Sequence, residues 1–178
     1  MIWTKCCWPT LSESPDKVNL QMDNSRWQSG LLVTLRFLIG WHLLYEGIVK
    51  VLNPGWSAYA FLEGSQGFFA GVADWITSNQ GILSVVDALN TWGLVAIGLA
   101  LVLGLFTRPA AFAGAALLGL YYLFNPPFIG MVPTVPMEGS YLIVNKNLIE
   151  AVALLLIAAS PAARSFAVDA LFVNRKDQ

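Results

Sequence analysis

The sequence predicts an all-α integral membrane protein built as a four-helix bundle. Of its 178 residues, 56% are hydrophobic and only 12% are charged, whereas an ordinary soluble domain has about 25% charged residues. Four apolar stretches of near-spanning length account for this bias, and they are predicted at residues 30–51, 83–106, 109–124 and 141–160. The net charge of -1 provides no basic surface for nucleic acid.

The first apolar stretch fixes the expected length of the spans. Residues 30–51 supply roughly the 20 residues that a hydrocarbon core about 30 Å thick requires, and Asn53 and Pro54 follow directly. The second and third stretches are joined by a short turn in which we expect Thr107 to cap the next helix and Pro109 to occupy an early helical position. Small residues four apart in these two stretches predict a close antiparallel pair.

The segment 53–81 is rich in aromatic residues and interrupted by glycine, so it is too broken to form a span. Such a composition favours short interfacial helices on the exoplasmic side, and an ordinary loop is the alternative. Residues 1–28 form a polar N-terminal tail, with an interfacial helix expected near 18–27, and residues 163–178 form an amphipathic C-terminal tail. With residues 29–162 as the membrane domain, we expect both tails to be cytoplasmic.

The distribution of basic residues supports this orientation. If the chain crosses four times, one side of the membrane receives most of the cations, and the positive-inside tendency makes that side cytoplasmic. These residues are Lys5, Lys17, Arg26, Arg108, Arg164, Arg175 and Lys176.

Ionisable residues interrupt the first and last stretches. A charge within a membrane costs roughly 2.5 to 3.5 kcal/mol on insertion scales, so such residues usually face a protein interior or a cavity. In the first stretch they fall within an arc of roughly 120° on one helix face: Arg36, His42, Glu46 and Lys50. In the last stretch, Lys146 and Glu150 are four residues apart, a spacing at which helical side chains meet.

The two sets are expected to converge in the outer half of the bundle. The first span runs outward and the last runs inward, so His42, Glu46, Lys146 and Glu150 would lie within roughly 10 Å in height. A polar pocket there would lie beneath the aromatic segment and the proline-rich loop. Its remaining predicted lining is Asn147, Tyr121, Tyr122 and Asn125, with Asp87 at the rim.

Two structural interpretations compete with a functional pocket. Paired charges within a bundle can serve only to fix helix register. Long basic side chains can also extend to the headgroups, and Arg36, near the inner end of its span, is the residue for which we most expect this.

The two cysteines, Cys6 and Cys7, are adjacent in the polar tail and form no CxxC, zinc or haem motif. A dithiol reaction within this chain is therefore not expected, and no metal site is predicted. Electron transfer would require a quinone, a metal or a partner protein.

Three segments resemble the DoxX family, most closely its DoxD-like branch. They are Leu35-Arg36-Phe37 through Gly40 with Tyr45-Glu46-Gly47 and Lys50, the run GLALVLGLFTRPAA at 98–111, and Asn145-Lys146-Asn147-Leu148-Ile149-Glu150. The resemblance covers about residues 31–159. It implies a four-helix, multi-pass protein of a bacterial or archaeal inner membrane. Some relatives are a subunit of thiosulfate:quinone oxidoreductase, which couples thiosulfate oxidation to tetrathionate with quinone reduction.

The leading hypothesis is therefore a membrane subunit of a quinone-linked oxidoreductase. His42, Glu46 and Glu150 would be catalytic by moving protons, and Arg36, Lys50, Lys146, Asn147, Tyr121 and Asn125 would bind quinone or a small sulfur oxyanion. The expected partners are membrane lipid, a DoxA-like or other redox subunit, and a second copy of the chain.

The alternative hypothesis is a non-catalytic scaffold or assembly partner of the cell envelope. In that case the charges would fix the bundle, and the aromatic segment would dock a periplasmic protein. A small-solute carrier is a third class, but the sequence has no inverted repeat or broken-helix pattern to support it.

Overall fold

The computed structural model describes residues 15–65, 68–127 and 143–161, with the side chains of the first helix described from residue 26 onward. The regular elements of this part of the chain are helices. They are α1 (Pro15–Leu52), α2 (Tyr59–Glu63), α3 (Ala70–Ser78), α4 (Gln80–Leu103), α5 (Thr107–Phe124) and α6 (Lys146–Ala159). Cys6, Cys7, the proline-rich loop and the C-terminal tail of the sequence predictions lie outside the described residues.

Helix α1 is longer than the predicted first span. It runs without a break for 38 residues, which corresponds to about 57 Å at 1.5 Å per residue. The interfacial helix expected near 18–27 is therefore the first part of α1 rather than a separate element. Pro15 stands at its first position, where a missing backbone donor costs no helical hydrogen bond.

Two helices among the described residues are long and apolar enough to cross a membrane, namely Arg26–Leu52 within α1 and Gln80–Leu103. In the most apolar 18-residue stretch of each helix, only 28% and 17% is buried inside the protein, respectively. Large apolar side chains such as Leu38, Trp41 and Leu89 are more than half exposed. A helix that is apolar on its outer face as well as its inner face suits lipid.

Helices α1, α4, α5 and α6 pack as antiparallel neighbours in this order, and α6 closes back on α1. Their shared core consists of aliphatic side chains and alanines from all of them, including Leu43, Leu94, Leu118 and Leu154. The most extensive contacts join α1 to α4 and α5 to α6. That all of these helices cross a membrane stays a prediction.

Close backbone approach occurs mainly between α1 and α4. A Cβ atom added to Gly98 would lie 2.4 Å from the Leu44 amide nitrogen and 2.8 Å from the Gly40 carbonyl oxygen. One added to Gly47 would lie 2.8 Å from the Val95 nitrogen. Gly98 of the second predicted span therefore packs against α1 rather than against the third span. The spacing of small residues predicts a face for close packing but does not identify the neighbouring helix.

The turn between α4 and α5 differs from its prediction in one detail. Gly104 and Phe106 both adopt left-handed backbone conformations, with φ of 70° and 48°, and this ends α4 at Leu103 instead of near 106. Phe106 thereby becomes the N-cap and makes no side-chain cap hydrogen bond. Thr107 is the first helical residue and not the cap, whereas Pro109 does occupy an early helical position.

The aromatic segment contains the short helices α2 and α3, as expected. Ala58, Leu62 and Ala73 form a second apolar cluster, against which Trp56, Phe61 and Phe124 pack. Hydrogen bonds fasten this cluster to the long helices, because Ala58 N donates to Asp87 Oδ1 at 2.8 Å and Ser65 Oγ donates to Phe124 O at 2.6 Å. The segment therefore covers the end of the bundle where α4 begins and α5 ends.

Helix α6 begins later than the predicted fourth span. Asn145 has extended backbone angles, and its side chain accepts a hydrogen bond from Leu148 N at 3.0 Å. This is the N-cap arrangement, so the helix starts at Lys146. Its 14 residues extend about 21 Å, and Lys146 lies at the helix end rather than within it.

Candidate functional site

A cavity of about 870 Å³ lies beneath α2, between α1, α4, α5 and the start of α6. Its walls are mainly apolar and aromatic, with a few polar groups, as is typical of small-molecule sites of this size. The polar and aromatic lining side chains are His42, Glu46, Lys50, Asn53, Trp56, Ser57, Phe61, Asn90, Tyr121, Phe124, Asn145, Lys146 and Asn147.

A histidine and a carboxylate connect α1 to α6 at this cavity. His42 Nδ1 lies 3.0 Å from Glu150 Oε2, and the two side chains are 28% and 17% exposed. Because an ionised carboxylate can only accept, the imidazole donates from Nδ1. The neutral ring then keeps Nε2 as its second, proton-accepting nitrogen. The sequence predicted that these helices would converge, and the structure brings this pair together across 108 positions of the chain.

A lysine forms the second charged group of the cavity. Lys50 Nζ lies 3.9 Å from Glu46 Oε2, one helical turn away. It also lies 4.9 Å from the centre of the Trp56 ring and 5.7 Å from that of Tyr121, within the range of cation–π attraction. The Lys50 side chain is 14% exposed, whereas that of Glu46 is 48% exposed. The aromatic groups therefore hold the ammonium group at the cavity wall.

Tyr121 is positioned from two other directions. Its hydroxyl donates to Asn90 Oδ1 on α4, and its ring packs edge-on against Phe61 with the centroids 5.6 Å apart. Three elements thus fix a ring that the sequence placed in the pocket wall.

The start of α6 contributes three consecutive lining residues. Asn145 is buried, Asn147 is half-buried and Lys146 is exposed. The side-chain oxygen of Asn145 caps the helix. Lys146 and Asn147 were predicted here from the sequence.

Three of the predicted catalytic and binding residues do not line the cavity. Glu150 is one of them, and it reaches the cavity only through its contact with His42. Arg36 is 3% exposed and buried within the protein, so it does not extend to the headgroups either. Around α1 it lies about 120° from His42 and only about 20° from Gly47, which places it on the side packed against α4. Asn125 ends α5 and donates through Nδ2 to Phe61 O at 3.0 Å, so it anchors the aromatic segment instead.

Asp87, predicted at the rim of the pocket, and Tyr122, predicted in its lining, also make structural hydrogen bonds. Asp87 accepts from the backbone of Ala58, as described above. Tyr122 donates its hydroxyl to Ile143 O at 2.9 Å, which ties the chain just before α6 to α5. Neither of them lines the cavity.

The sequence analysis assigned no site role to Trp56, Asn90 or Asn145. Asn90 carries no sequence signal beyond residue type, because its role comes from a bond to the distant Tyr121. Trp56 lies only six positions after Lys50, but it follows the end of α1, where helical spacing no longer predicts contacts. Asn145 does carry a signal, since asparagine just before an apolar helical run is a typical N-cap.

The arrangement can hold a flat, largely apolar molecule that carries polar oxygens. The apolar and aromatic walls would accommodate its ring. Lys50 supplies a donor, and Nε2 of the His42–Glu150 pair can take up a proton and pass it on. Nearly all of the charged groups are paired within the cavity wall, so the site is polar without a large excess of one sign.

The sequence model of the DoxX family matches residues 31–125. This range contains the cavity residues of α1, α2, α4 and α5, whereas those of α6 follow it. No curated protein and no solved structure matches the chain. The family match and the two apolar helices together indicate a membrane protein. The match spans more than half of the sequence, and the chain belongs to the DoxX family.

Proposed function

We propose that the chain is a membrane subunit of a quinone-linked oxidoreductase and that its cavity holds the quinone head group. The observation that carries this proposal is the His42–Glu150 pair, 3.0 Å apart, beside an apolar cavity of ring-binding size. Structural charges would suffice to fix helix register, but they would not require an open cavity beside them.

Quinone reduction consumes two electrons and two protons and yields a quinol. Once Nε2 has taken up a proton, His42 can pass it to a reduced quinone oxygen, while Glu150 accepts from Nδ1–H and stabilises the imidazolium. The second proton would come from the aqueous phase. Proton transfer of this kind typically contributes 10²–10⁴-fold to a rate. Lys50 lies near enough to the aromatic wall to stabilise negative charge on the same head group. The chain contributes no redox group in its described part, so the electrons would come from a partner subunit.

The electron donor that fits the family resemblance is thiosulfate. Oxidation of two thiosulfate ions to one tetrathionate releases the two electrons that a quinone takes up. In this proposal a DoxA-like or other redox subunit carries them to the cavity.

The proposed setting is a bacterial or archaeal inner membrane. Helices α1, α4, α5 and α6 would cross it as a four-helix bundle with both termini in the cytoplasm. The cavity would then lie in the outer half of the membrane, beneath α2 and α3. Trp75 on α3 and Phe68 just before α3 are exposed, which suits an interfacial position.

The test is labelling of the purified, lipid-reconstituted protein with a photoreactive azidoquinone, followed by peptide mapping. We expect label in the segments around Trp56 and Tyr121, and we expect decylubiquinone to suppress it. Filling the cavity with Ala60→Trp should abolish this labelling. The matched control, Val85→Trp, adds the same side chain on the exposed face of α4 and should leave labelling intact.

Labelling confined to outward-facing residues, or labelling that decylubiquinone does not compete, would show that the cavity is not a quinone site. Equal labelling of the two tryptophan variants would lead to the same conclusion.

A further inference from the structure

The cavity beneath α2 has a polar side and an apolar side. The charged side chains that line it belong to α1 and to the start of α6. Its lining residues on α4 and α5 are mostly aliphatic: Val86, Leu89, Leu94, Leu117, Leu118 and Leu120. A ligand that contacts both sides must therefore combine a polar part with an apolar part.

On α4 and α5 the lining begins inside the bundle. Leu94 and Leu118 are 1% and 2% exposed and belong to the shared core. Asn90 and Tyr121 lie where the two helices face each other, since the Tyr121 hydroxyl donates to Asn90 Oδ1. Both of these residues also line the cavity. The cavity therefore reaches from the core to the line along which α4 and α5 meet.

Leu89 and Leu120 continue the lining beyond that line. Each directly precedes a member of the hydrogen-bonded pair and therefore points about 100° away from it around its helix. Both line the cavity, yet they are 69% and 48% exposed. A cavity bordered by inward, facing and outward residues of the same two helices opens between those helices at the surface of the bundle.

Close packing limits the length of this opening, which we call the α4–α5 window. Gly93 follows Leu89 by four residues on the same flank of α4, and a Cβ atom added to it would meet no atom of the described residues within 4 Å. Further along, the helices touch, because a Cβ atom added to Gly114 would lie 3.2 Å from Ile97 Cγ2. At the other end, Ile76 of α3 lines the cavity and packs in the second apolar cluster.

The α4–α5 window opens among apolar side chains. Val85 and Trp92 on the outer surface of α4 are 57% and 63% exposed, which suits contact with acyl chains. The cavity volume of about 870 Å³ lies near the upper end of the range of about 300–1,000 Å³ for small-molecule sites. A quinone head group or a small oxyanion alone would leave much of this space empty, whereas a head group with the first part of a hydrocarbon tail would fill it.

We infer that the bound quinone carries a hydrocarbon tail and that this tail leaves the cavity through the α4–α5 window, between Leu89 and Leu120. The inference rests on the proposed function and names its substrate class, a membrane-resident quinone with an isoprenoid tail. It also orients the ligand, because the ring faces His42 on the polar side while the tail lies along the apolar side.

A quinone labelled in its tail tests this route. Decylubiquinone with a diazirine in the middle of its tail is bound to the full-length protein in lipid and photoactivated, and the labelled residues are mapped. We expect label on Leu89 and Leu120 that excess unmodified decylubiquinone suppresses. Val85, which is exposed but does not line the cavity, should carry no suppressible label. Suppressible label at Glu46 or Lys146 instead would overturn the inference, because the tail would then leave between α1 and α6.

A substitution at the window gives a second readout. Leu89→Trp adds bulk at the opening, and Val85→Trp adds the same side chain one turn away, outside the lining. We expect the Kd for decylubiquinone to rise about tenfold in Leu89→Trp and to stay unchanged in Val85→Trp. The Kd for the same head group without a tail should stay unchanged in both. An equal Kd for decylubiquinone in the two variants would overturn the inference.

The outcomes distinguish this inference from the function on which it rests. If the wild-type protein binds neither quinone, the proposed function and the inference both fail. If it binds decylubiquinone but the suppressible label lies away from the window, only the inference fails. Label on Leu89 from a phospholipid with a diazirine in its acyl chain, which decylubiquinone does not displace, would also overturn the inference, because the window would then hold a lipid chain.

Discussion

Helix α1 presents two different surfaces within the same 38 residues. On one side Gly40 and Gly47 allow the backbone of α4 to approach until no room for a side chain remains. On the face turned towards α6, His42 borders a cavity, and Glu46 and Lys50 line the same cavity one and two turns further along the helix. The comparison shows how a small membrane protein can keep polar groups beside an open space: one rigid, close-packed helix pair supports them while the facing helices stand apart.

The largest effect is expected at the cavity side of α1, where Glu150 pairs with His42. Glu150→Gln keeps the shape of the side chain but removes the carboxylate that orients His42 and stabilises its protonated form. Quinol formation by the complete complex should fall 10²–10⁴-fold, while the protein stays folded.

The matched control for this change is Glu63→Gln, which alters an exposed carboxylate on α2 and should retain full activity. If Glu150→Gln were as active as this control, the pair would have only a structural role.

The second prediction tests the close-packed side. Gly98→Ala would place its Cβ 2.4 Å from the Leu44 nitrogen, and a backbone atom within a helix cannot move aside as a side chain can. Overpacking of this kind typically costs 1–3 kcal/mol. We expect a clear fall in Tm, measured by thermal denaturation in detergent.

Gly93 offers a control in the same helix, because a Cβ added there meets nothing within 4 Å. Gly93→Ala should be neutral or stabilising by up to about 1 kcal/mol. If both alanine variants had the same Tm, the contact between α1 and α4 would not be as close as described.

The smallest effect is expected at Lys50, also on the cavity side of α1. Lys50→Met keeps an apolar stem but removes the ammonium group from the Trp56 and Tyr121 rings, whose attraction for it is about 0.5–2 kcal/mol. We expect a Tm slightly below that of the wild type and a Kd for decylubiquinone raised severalfold.

Lys50→Arg is the informative companion, since a guanidinium group can also stack on aromatic rings and should recover part of the affinity. A Kd that is unchanged in Lys50→Met would remove Lys50 from the site.

The sequence predicted the helical class, the short helices of the aromatic segment and the approach of His42 to Glu150, because each depends on local pattern or on helix direction. It misplaced Arg36 because an arc of 120° is wide enough to reach two different neighbours. It described the small residues of α4 correctly as a packing face but could not identify α1 as the partner. Asn90 was missed because its partner, Tyr121, lies on a distant element, and Trp56 was missed because it follows the end of α1, where helical spacing predicts no contact.

The start of α6 was predicted five residues too early. The apolar run alone predicted a helix from 141, whereas the capping bond of Asn145 sets its beginning at Lys146. Recognising Asn145 as the N-cap would have corrected the predicted start of the helix. It would also have placed Lys146 at the helix end rather than within the span.

The most direct measurement is a density map of the protein purified in native lipid, at a resolution that shows side chains. We predict flat density for a ring between Trp56 and Tyr121, with one edge at His42. A cavity filled by lipid acyl chains, or closed by repacked side chains with His42 and Glu150 still paired, would contradict a quinone site in this protein.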